Sequence, residues 1–266
     1  MEEAKKRYVI TPEDKAFFYS DAARGIRLQV DYLKAETKMK AEGIEHTIVV
    51  FGSARILSQE EAQKRLDTID ANDTEAYAKA LKDLERSRYY EEARTFGALV
   101  ALSGKGPEDC KLTLMTGGGP GIMEGANRGA YEAGGKSIGL NITLPHEQHP
   151  NPYLSPELSF SFYYFGIRKL HFLQRAKALV VFPGGFGTLD ELFDILTLIQ
   201  TNKSPHIPIV LIGRTYWNSI LNFTFLAEEG VISRDDLNLF SYAESAEEAW
   251  QYIIAWYVER GDPLFS

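Results

Sequence analysis

The amino-acid sequence predicts a doubly wound α/β fold, which is a parallel β-sheet with helices on both faces. Two observations predict it. Short, continuous apolar runs alternate with helical stretches of ten or more residues, and glycine-rich turns join such a run to the next helix at two places. Continuous apolar runs are typical of strands buried on both faces, and their alternation with helices is typical of a parallel sheet.

Residues 1–43 are charged and mixed, with apolar residues at the spacing of amphipathic helices, so we expect them to form a helical N-terminal extension. The remaining residues, 44–266, are expected to form the α/β domain. Its first strand is a β-branched and aromatic run at 48–51, and a long helix is expected over 74–102. The second strand, 112–115, ends at a glycine-rich segment that opens another helix.

The later elements repeat this order of strand, turn and helix, and a loop with several prolines, 145–156, interrupts it once. They are strands at 137–142, 160–165, 178–182 and 208–212, a helix that carries Arg168 and Lys169, and helices at 188–200, 216–229 and 246–259. This succession is typical of a Rossmann-like parallel sheet.

Composition restricts the partners that the protein can have. The 37 acidic residues outnumber the 29 lysines and arginines, and the formal charge of −8 disfavours a nucleic-acid backbone or an anionic membrane surface. No segment approaches the ~20 apolar residues of a membrane span, and the first residues lack the apolar core of a signal peptide. The single cysteine, Cys110, suits a reducing compartment. We predict a cytoplasmic protein with no nucleic-acid and no membrane partner.

The first glycine-rich turn contains Gly117, Gly118 and Gly119 and is followed by Glu124 in the predicted helix. Glycines let backbone N–H groups approach a phosphate closely, and the start of a helix adds a favourable field. A tight turn that only packs the helix on the sheet is an equally good interpretation. A dinucleotide fingerprint is disfavoured, because Ile122 stands where its third glycine belongs.

The second glycine-rich turn contains Gly184, Gly185 and Gly187 and continues into Thr188 and Glu191. In a doubly wound sheet, two such turns lie at the same edge, where ligands of this architecture bind. Thr188 and Glu191 also have the spacing of a capping box, which makes Glu191 a helix cap rather than a catalytic group. From the spacing alone, the capping interpretation is favoured.

Both glycine-rich turns, with Arg168-Lys169 between them, resemble the LOG (Lonely Guy) family of cytokinin riboside 5'-monophosphate phosphoribohydrolases, whose members have often been labelled lysine decarboxylases. The resemblance covers roughly residues 44–233 and is to the longer bacterial branch. It implies that Arg168 and Glu191 are catalytic. The substrate-binding candidates, from the resemblance and the glycine turns together, are Gly117, Gly118, Gly119, Glu124, Glu147, Lys169, Gly184, Gly185, Gly187, Thr188 and Thr197.

The expected function is hydrolysis of the N-glycosidic bond of a nucleoside 5'-monophosphate, either AMP or a cytokinin riboside monophosphate, to free base and ribose 5-phosphate. Residues 44–266 are then a Rossmann-like nucleotide-binding catalytic domain. We expect no cofactor, and because the histidines lack metal-site spacing, no metal. The family suggests a homodimer or a higher homo-oligomer.

Three other functions remain possible. The strongest is a non-catalytic nucleotide or molybdenum-cofactor carrier, since carriers of that kind share the fold and the phosphate-binding turns. A pyridoxal-phosphate decarboxylase is weaker, because no lysine stands in a recognisable Schiff-base setting. The third is a regulatory subunit that assembles through its extension. The sequence leaves open the preferred base and the roles of residues 1–43 and of an insertion at 57–95.

Overall fold

Seven parallel strands form a single sheet in the computed structural model, which describes residues 13–70, 72–103, 111–142, 149–262 and 264. The strands are β1 (His46–Phe51), β2 (Leu112–Thr116), β3 (Ser137–Ile142), β4 (Ser159–Phe162), β5 (Ala176–Val181), β6 (Ile209–Ile212) and β7 (Ser241–Ala243). Their order across the sheet is β4-β3-β2-β1-β5-β6-β7, and every neighbouring pair is parallel. The predicted doubly wound fold is confirmed.

Helices cover both faces of this sheet, as predicted. Those in the described part of the chain are α1 (Lys15–Phe18), α2 (Arg24–Ala41), α3 (Gln59–Thr68), α4 (Thr74–Leu102), α5 (Ile122–Glu132), α6 (Phe165–Gln174), α7 (Phe186–Gln200), α8 (Arg214–Ile220), α9 (Phe223–Glu228) and α10 (Ala246–Arg260). None of them is both long and apolar enough to cross a membrane.

One predicted helix, over 216–229, is wrong as a single element, because the chain breaks between α8 and α9. Leu221 is extended, and the Asn222 side chain accepts a hydrogen bond of 3.0 Å from the backbone N–H of Phe225. An asparagine that caps the second helix therefore ends the first. The sequence analysis also missed β7, whose three residues are too short for a pattern, and α3.

The apolar residues of the central strands β1, β2, β5 and β6 alternate between two cores. In β1, Ile48 and Val50 lie against α4, α5 and α10, whereas Val49 and Phe51 lie against α2, α6 and α7. This is the expected period of two, applied to a sheet that is buried on both faces. The sheet is therefore fixed from both sides, and its strand ends offer a rigid edge for a site.

Helices α4 and α5 cross with their backbones in contact. A Cβ on Gly97 would overlap the carbonyl oxygen of Ala126, and a Cβ on Gly129 would overlap the carbonyl oxygen of Arg94. These two glycines therefore lack side chains because there is no room for them.

The last turns of α2 are packed against the second core, where Ala35 and Met39 are buried. Glu36 of the same helix forms an ion pair of 2.9 Å with Arg175, which precedes β5. The predicted division of the chain at residue 43 stays a prediction, and residues 1–12 of the expected extension lie outside the described residues.

The strand order reverses at β1, because β2 lies on one side of β1 and β5 lies on the other. In doubly wound folds, the loops that leave two such strands run to opposite faces and leave a crevice between them. The site described next lies at this point.

Candidate active site

A cavity of about 880 Å³ opens at the carboxyl ends of β1, β2 and β5. Its walls come from the segment after each strand and from helices α4, α5, α6, α7 and α8. The lining residues used below are Ser53, Arg55, Arg86, Gly117, Arg168, Gly184, Gly185, Phe186, Gly187, Thr188, Glu191 and Tyr216. Residues from both predicted glycine turns therefore share one crevice.

Helix α7 begins in this cavity, with Gly185 as its N-cap and without a side-chain cap. A Cβ on Gly185 or Gly187 would have no other atom within 4 Å, so the backbone there is open to the cavity. The N–H groups of the first helical turn have no partner within their own helix. An exposed, uncapped helix start of this kind can bind an anion.

The capping-box interpretation of Thr188 and Glu191 is wrong. Because α7 already begins at Phe186, Thr188 is the third residue of the helix and Glu191 the sixth, and neither forms a capping hydrogen bond. Thr188 is instead packed under the turn, since a Cβ on Gly184 would overlap its side chain. Glu191 is therefore free of a structural role at the helix end.

The Gly184 turn is also held from outside. The hydroxyl of Tyr216, on α8, donates a hydrogen bond of 2.6 Å to the carbonyl oxygen of Gly184. Tyr216 lines the same cavity. The start of α7 is therefore positioned by a neighbouring helix as well as by its own strand.

Glu191 is a buried carboxyl in the cavity wall, with 7% of its surface exposed. Burial raises its pKa to about 7, although the charges of Arg168 and Lys169 oppose that rise. The charges of Asp190 and Asp194 add to it. A carboxyl with this pKa is partly ionised and partly protonated at neutral pH, which suits general acid–base work.

Arg168 comes from α6 and places its guanidinium in the same wall. Its Nε donates a hydrogen bond of 2.6 Å to the carbonyl oxygen of Leu140, at the end of β3. Burial lowers the pKa of Arg168, and the nearby charge of Glu191 opposes this. The group keeps its charge, because an arginine starts from a pKa far above neutrality.

The chain has measurable relatives of known family. Residues 123–253 match a family model described as "Possible lysine decarboxylase". The probable cytokinin riboside 5'-monophosphate phosphoribohydrolase LOGL3 of Oryza sativa subsp. japonica is 36% identical over 30% of this chain and 39% of its own length. The probable cytokinin riboside 5'-monophosphate phosphoribohydrolase LOG4 of the same plant is 28% identical over 58% of this chain and 67% of its own. Part of the chain is therefore similar to proteins of the LOG family.

The match with LOGL3 spans well under half of that protein's length. Among solved structures, the molybdenum cofactor binding protein from the phototrophic bacterium Rippkaea orientalis aligns with 79% of this chain and 96% of its own. The sequence identity is 20% and the TM-score is 0.44. A likeness this remote bears on neither substrate nor activity.

Two positions implied by the LOG resemblance, Lys169 and Thr197, are not among the residues that line the cavity. Lys169 forms ion pairs of 2.9 Å with Asp190 and 3.7 Å with Asp194. The Thr197 hydroxyl, on the exposed face of α7, donates to the carbonyl oxygen of Phe193 at 2.7 Å. Glu147 lies outside the described residues.

The first glycine turn is divided in the same way. Gly117 lines the cavity, whereas the carbonyl oxygens of Gly118 and Gly119 accept hydrogen bonds from Asn151 at 2.9 to 3.2 Å. Gly118 has φ +72°, a backbone conformation that favours glycine. Glu124 accepts a hydrogen bond of 2.9 Å from the Tyr90 hydroxyl between α4 and α5. These hydrogen bonds hold the turn in place, and the substrate-binding roles of Gly118, Gly119 and Glu124 stay predictions.

Sequence reasoning did not identify many of the cavity residues, among them Arg55, Arg86, Phe186 and Tyr216. Phe186 occupies the variable position of the second glycine-rich turn, where the pattern itself assigns no role. It is 92% exposed, which is unusual for a phenylalanine at a cavity. Arg55 follows β1, so its place at the strand edge was open to inference. Arg86 and Tyr216 lie on helix faces that no local motif marks.

Proposed function

We propose that this chain hydrolyses the N-glycosidic bond of a nucleoside 5'-monophosphate to free base and ribose 5-phosphate. One observation carries the proposal. The buried Glu191 carboxyl and the Arg168 guanidinium share a cavity wall with the open, glycine-lined start of α7. Such a site offers a phosphate-binding end and an acid–base end within one cavity. The activity for which the LOG relatives are named supports the same chemistry.

The 5'-phosphate would lie at the start of α7. The backbone N–H groups there have no intrahelical partners, and Gly185 and Gly187 leave room for phosphate oxygens. Held at that end, the ribose extends along α7 toward Glu191. Proximity then supplies much of the rate, without covalent attachment to the protein.

At the other end, Glu191 assists the bond change. A water oxygen bonds to the anomeric carbon, the carbon–nitrogen bond breaks, and its electron pair leaves with the base. The Glu191 carboxylate accepts a proton from the water and stabilises the positive charge that develops on the sugar, as carboxylates do in glycoside hydrolysis. Arg168 stabilises negative charge on the departing base, which then takes up a proton.

The matching family model is described as a possible lysine decarboxylase. Lys169 does not support a decarboxylase that forms a Schiff base through this residue. A Schiff base needs a neutral amine. Burial alone would lower the pKa of Lys169, but the hydrogen bond to Asp190 and the charges of Glu191 and Asp194 raise it above its ordinary value. The ammonium form is thereby stabilised.

AMP is the first substrate to test, and a cytokinin riboside monophosphate is the second. A homodimer or larger homo-oligomer in the cytoplasm belongs to the proposal through the family resemblance. Purified protein is incubated with AMP, and adenine and ribose 5-phosphate are measured. We expect release by the wild type and by Glu228→Gln, a control on the exposed surface of α9, and a loss of at least about a hundredfold in Glu191→Gln and Arg168→Met.

The proposal fails if the wild type releases no base from any nucleoside monophosphate. Tight binding of AMP without release would favour the non-catalytic carrier. Release that is equal in the wild type and in Glu191→Gln would instead remove Glu191 from the mechanism.

A further inference from the structure

A second cavity, of about 430 Å³, adjoins the first between the loop after β1 and helices α3 and α4. We name it the annex. Its lining residues are Ser53, Arg55, Ile56, Leu57, Arg65, Lys79, Asp83 and Arg86. Ser53, Arg55, Ile56 and Arg86 line the main cavity as well. The two cavities are therefore neighbours with a common wall.

The annex is strongly cationic. Four cationic side chains and one carboxylate line it, which leaves a net charge of +3, in a chain whose formal net charge is −8. Arg65 forms an ion pair of 3.2 Å with Asp83, which partly neutralises its charge. Within the described residues, Arg55, Lys79 and Arg86 form no ion pair. Scattered surface lysines and arginines are ordinary, but convergence on a concave wall concentrates a positive field.

Arg86 links the annex to the residue that holds the start of α7. The Tyr216 hydroxyl holds the Gly184 turn, and Tyr216 and Arg86 both line the main cavity. Burial raises the pKa of Tyr216, and its hydrogen bond to Gly184 and the nearby charge of Arg86 oppose that rise. Arg86 also lines the annex, whereas Glu191, Arg168 and the Gly184 turn line only the main cavity. The wall that the two cavities share therefore lies beside Tyr216.

We infer that the annex is a second phosphate subsite, which takes the β-phosphate of a nucleoside 5'-diphosphate whose first phosphate lies at the start of α7. The inference rests on the proposed function for the position of that first phosphate. Guanidinium and ammonium groups are the side chains best suited to phosphate oxygens. A ligand that occupies both subsites binds more tightly than a monophosphate and competes with it.

Calorimetric titrations with AMP, ADP and pyrophosphate test this inference, in a Glu191→Gln background that prevents turnover. We expect ADP to bind about tenfold more tightly than AMP, as several partly exposed charge contacts would give. Lys79→Glu should remove most of that preference. The matched control is Lys82→Glu, which makes the same charge change three residues along α4 and outside the annex wall. It should keep the preference.

Three outcomes would overturn the inference. They are equal affinity for ADP and AMP, an equal loss in both lysine variants, and binding of pyrophosphate that Lys79→Glu does not weaken. Thermal unfolding of both variants shows whether each is folded. The two proposals fail separately. If adenine is released but ADP is not preferred, only the inference about the annex is contradicted. If ADP is preferred in a Lys79-dependent way but no adenine is released, only the proposed catalysis is contradicted.

Discussion

The guanidinium of Arg168 is anchored by the carbonyl oxygen of Leu140 in β3, to which its Nε donates a hydrogen bond of 2.6 Å. It also lies over the ring of Phe172 in its own helix, 5.1 Å from the ring centre, and a Cβ on Gly117 would stand 2.6 Å from its Nη2. Strand β3 therefore anchors the group on one side, and the missing side chain after β2 leaves room for it on another. The position of the Arg168 guanidinium thus depends on Gly117, although the two are not hydrogen-bonded.

Gly117→Ala should reduce activity far more than stability. The new methyl group would meet Arg168 Nη2 and the sulfur of Met123, and both are ends of flexible side chains that can move aside. We expect the free energy of unfolding to change by less than about 1 kcal/mol, while kcat/KM for AMP falls at least about tenfold because the cation is displaced. Gly166→Ala, on α6 with nothing within 4 Å of the new atom, is the control. Equal activity in both variants would contradict the role given to Gly117.

The pH dependence of activity should follow Glu191. If its carboxylate accepts the proton of water, kcat/KM falls as pH drops below about 7, the pKa to which burial raises this group. Asp194→Asn removes a charge that raises this pKa, so the acidic limb of the profile should move to lower pH. Lys169→Met removes a charge that lowers it, so the limb should move to higher pH. Shifts in the same direction for both variants would exclude Glu191 as the titrating group.

Stability should depend on pH through the same side chain. The folded pKa of Glu191 is raised from 4.5 to about 7, so the folded state holds a proton that the unfolded state releases in between. Stabilisation is complete below pH 4.5 and is lost as pH rises through 7. Relative to Glu191→Gln, the wild type should lose on the order of 3 kcal/mol across this window, at about 1.36 kcal/mol per pKa unit. Urea titrations at pH 4.5 and 8 measure the difference, and a constant gap would show an unshifted carboxyl.

Phe186 should contribute to binding and not to folding. It is 92% exposed at the cavity, where its ring can stack on a ribose or a base. We expect Phe186→Ala to raise KM about threefold to tenfold with little change in kcat or in the melting temperature. Phe225→Ala, an exposed phenylalanine on α9, should change neither constant. A large loss of stability in Phe186→Ala would mean that the ring is packed rather than available.

Gly129→Ala tests the crossing of α4 and α5. The added methyl would overlap the carbonyl oxygen of Arg94, which is backbone and cannot rotate away. We expect a loss of about 1–3 kcal/mol or more in the free energy of unfolding. Gly25→Ala, in α2 with open space around the new atom, should instead stabilise by about 0.5–1 kcal/mol. If the two variants behave alike in urea, the helices do not cross as closely as described.

Much of the fold was accessible from the sequence because local patterns determine it. Six of the seven strands were predicted at or near their observed positions, and α4 was predicted with its observed bounds. The break at Asn222 was missed because a helix-compatible pattern runs through it, and only the side-chain cap reveals the second start. Gly97 and Gly129 were not predictable as packing residues, because each is required by the backbone of the other helix that it contacts.

The site was predictable in part for the same reason. Two glycine turns that follow strands of one parallel sheet lie at the same edge of that sheet. Gly117 and Gly185 accordingly line the same cavity, as expected. The role of Glu191 required the true start of α7, which lies two residues earlier than predicted and removes the capping box. Arg86 and Lys79 carry no local signal, since their meeting with Arg55 depends on how α4 lies across the loop after β1.

The contact of α4 with α5 at Gly97 has an effect at the opposite end of α4. Lys79 and Arg86 lie roughly 27 and 16 Å from Gly97 along the helix axis, at 1.5 Å per residue. A helix that is locked at one point by touching backbones cannot slide, so these cations keep a set separation from the turn that opens α5. For a ligand that contacts both cavities, the distance between the two sets of contacts is therefore preorganised. No binding energy is needed to establish it.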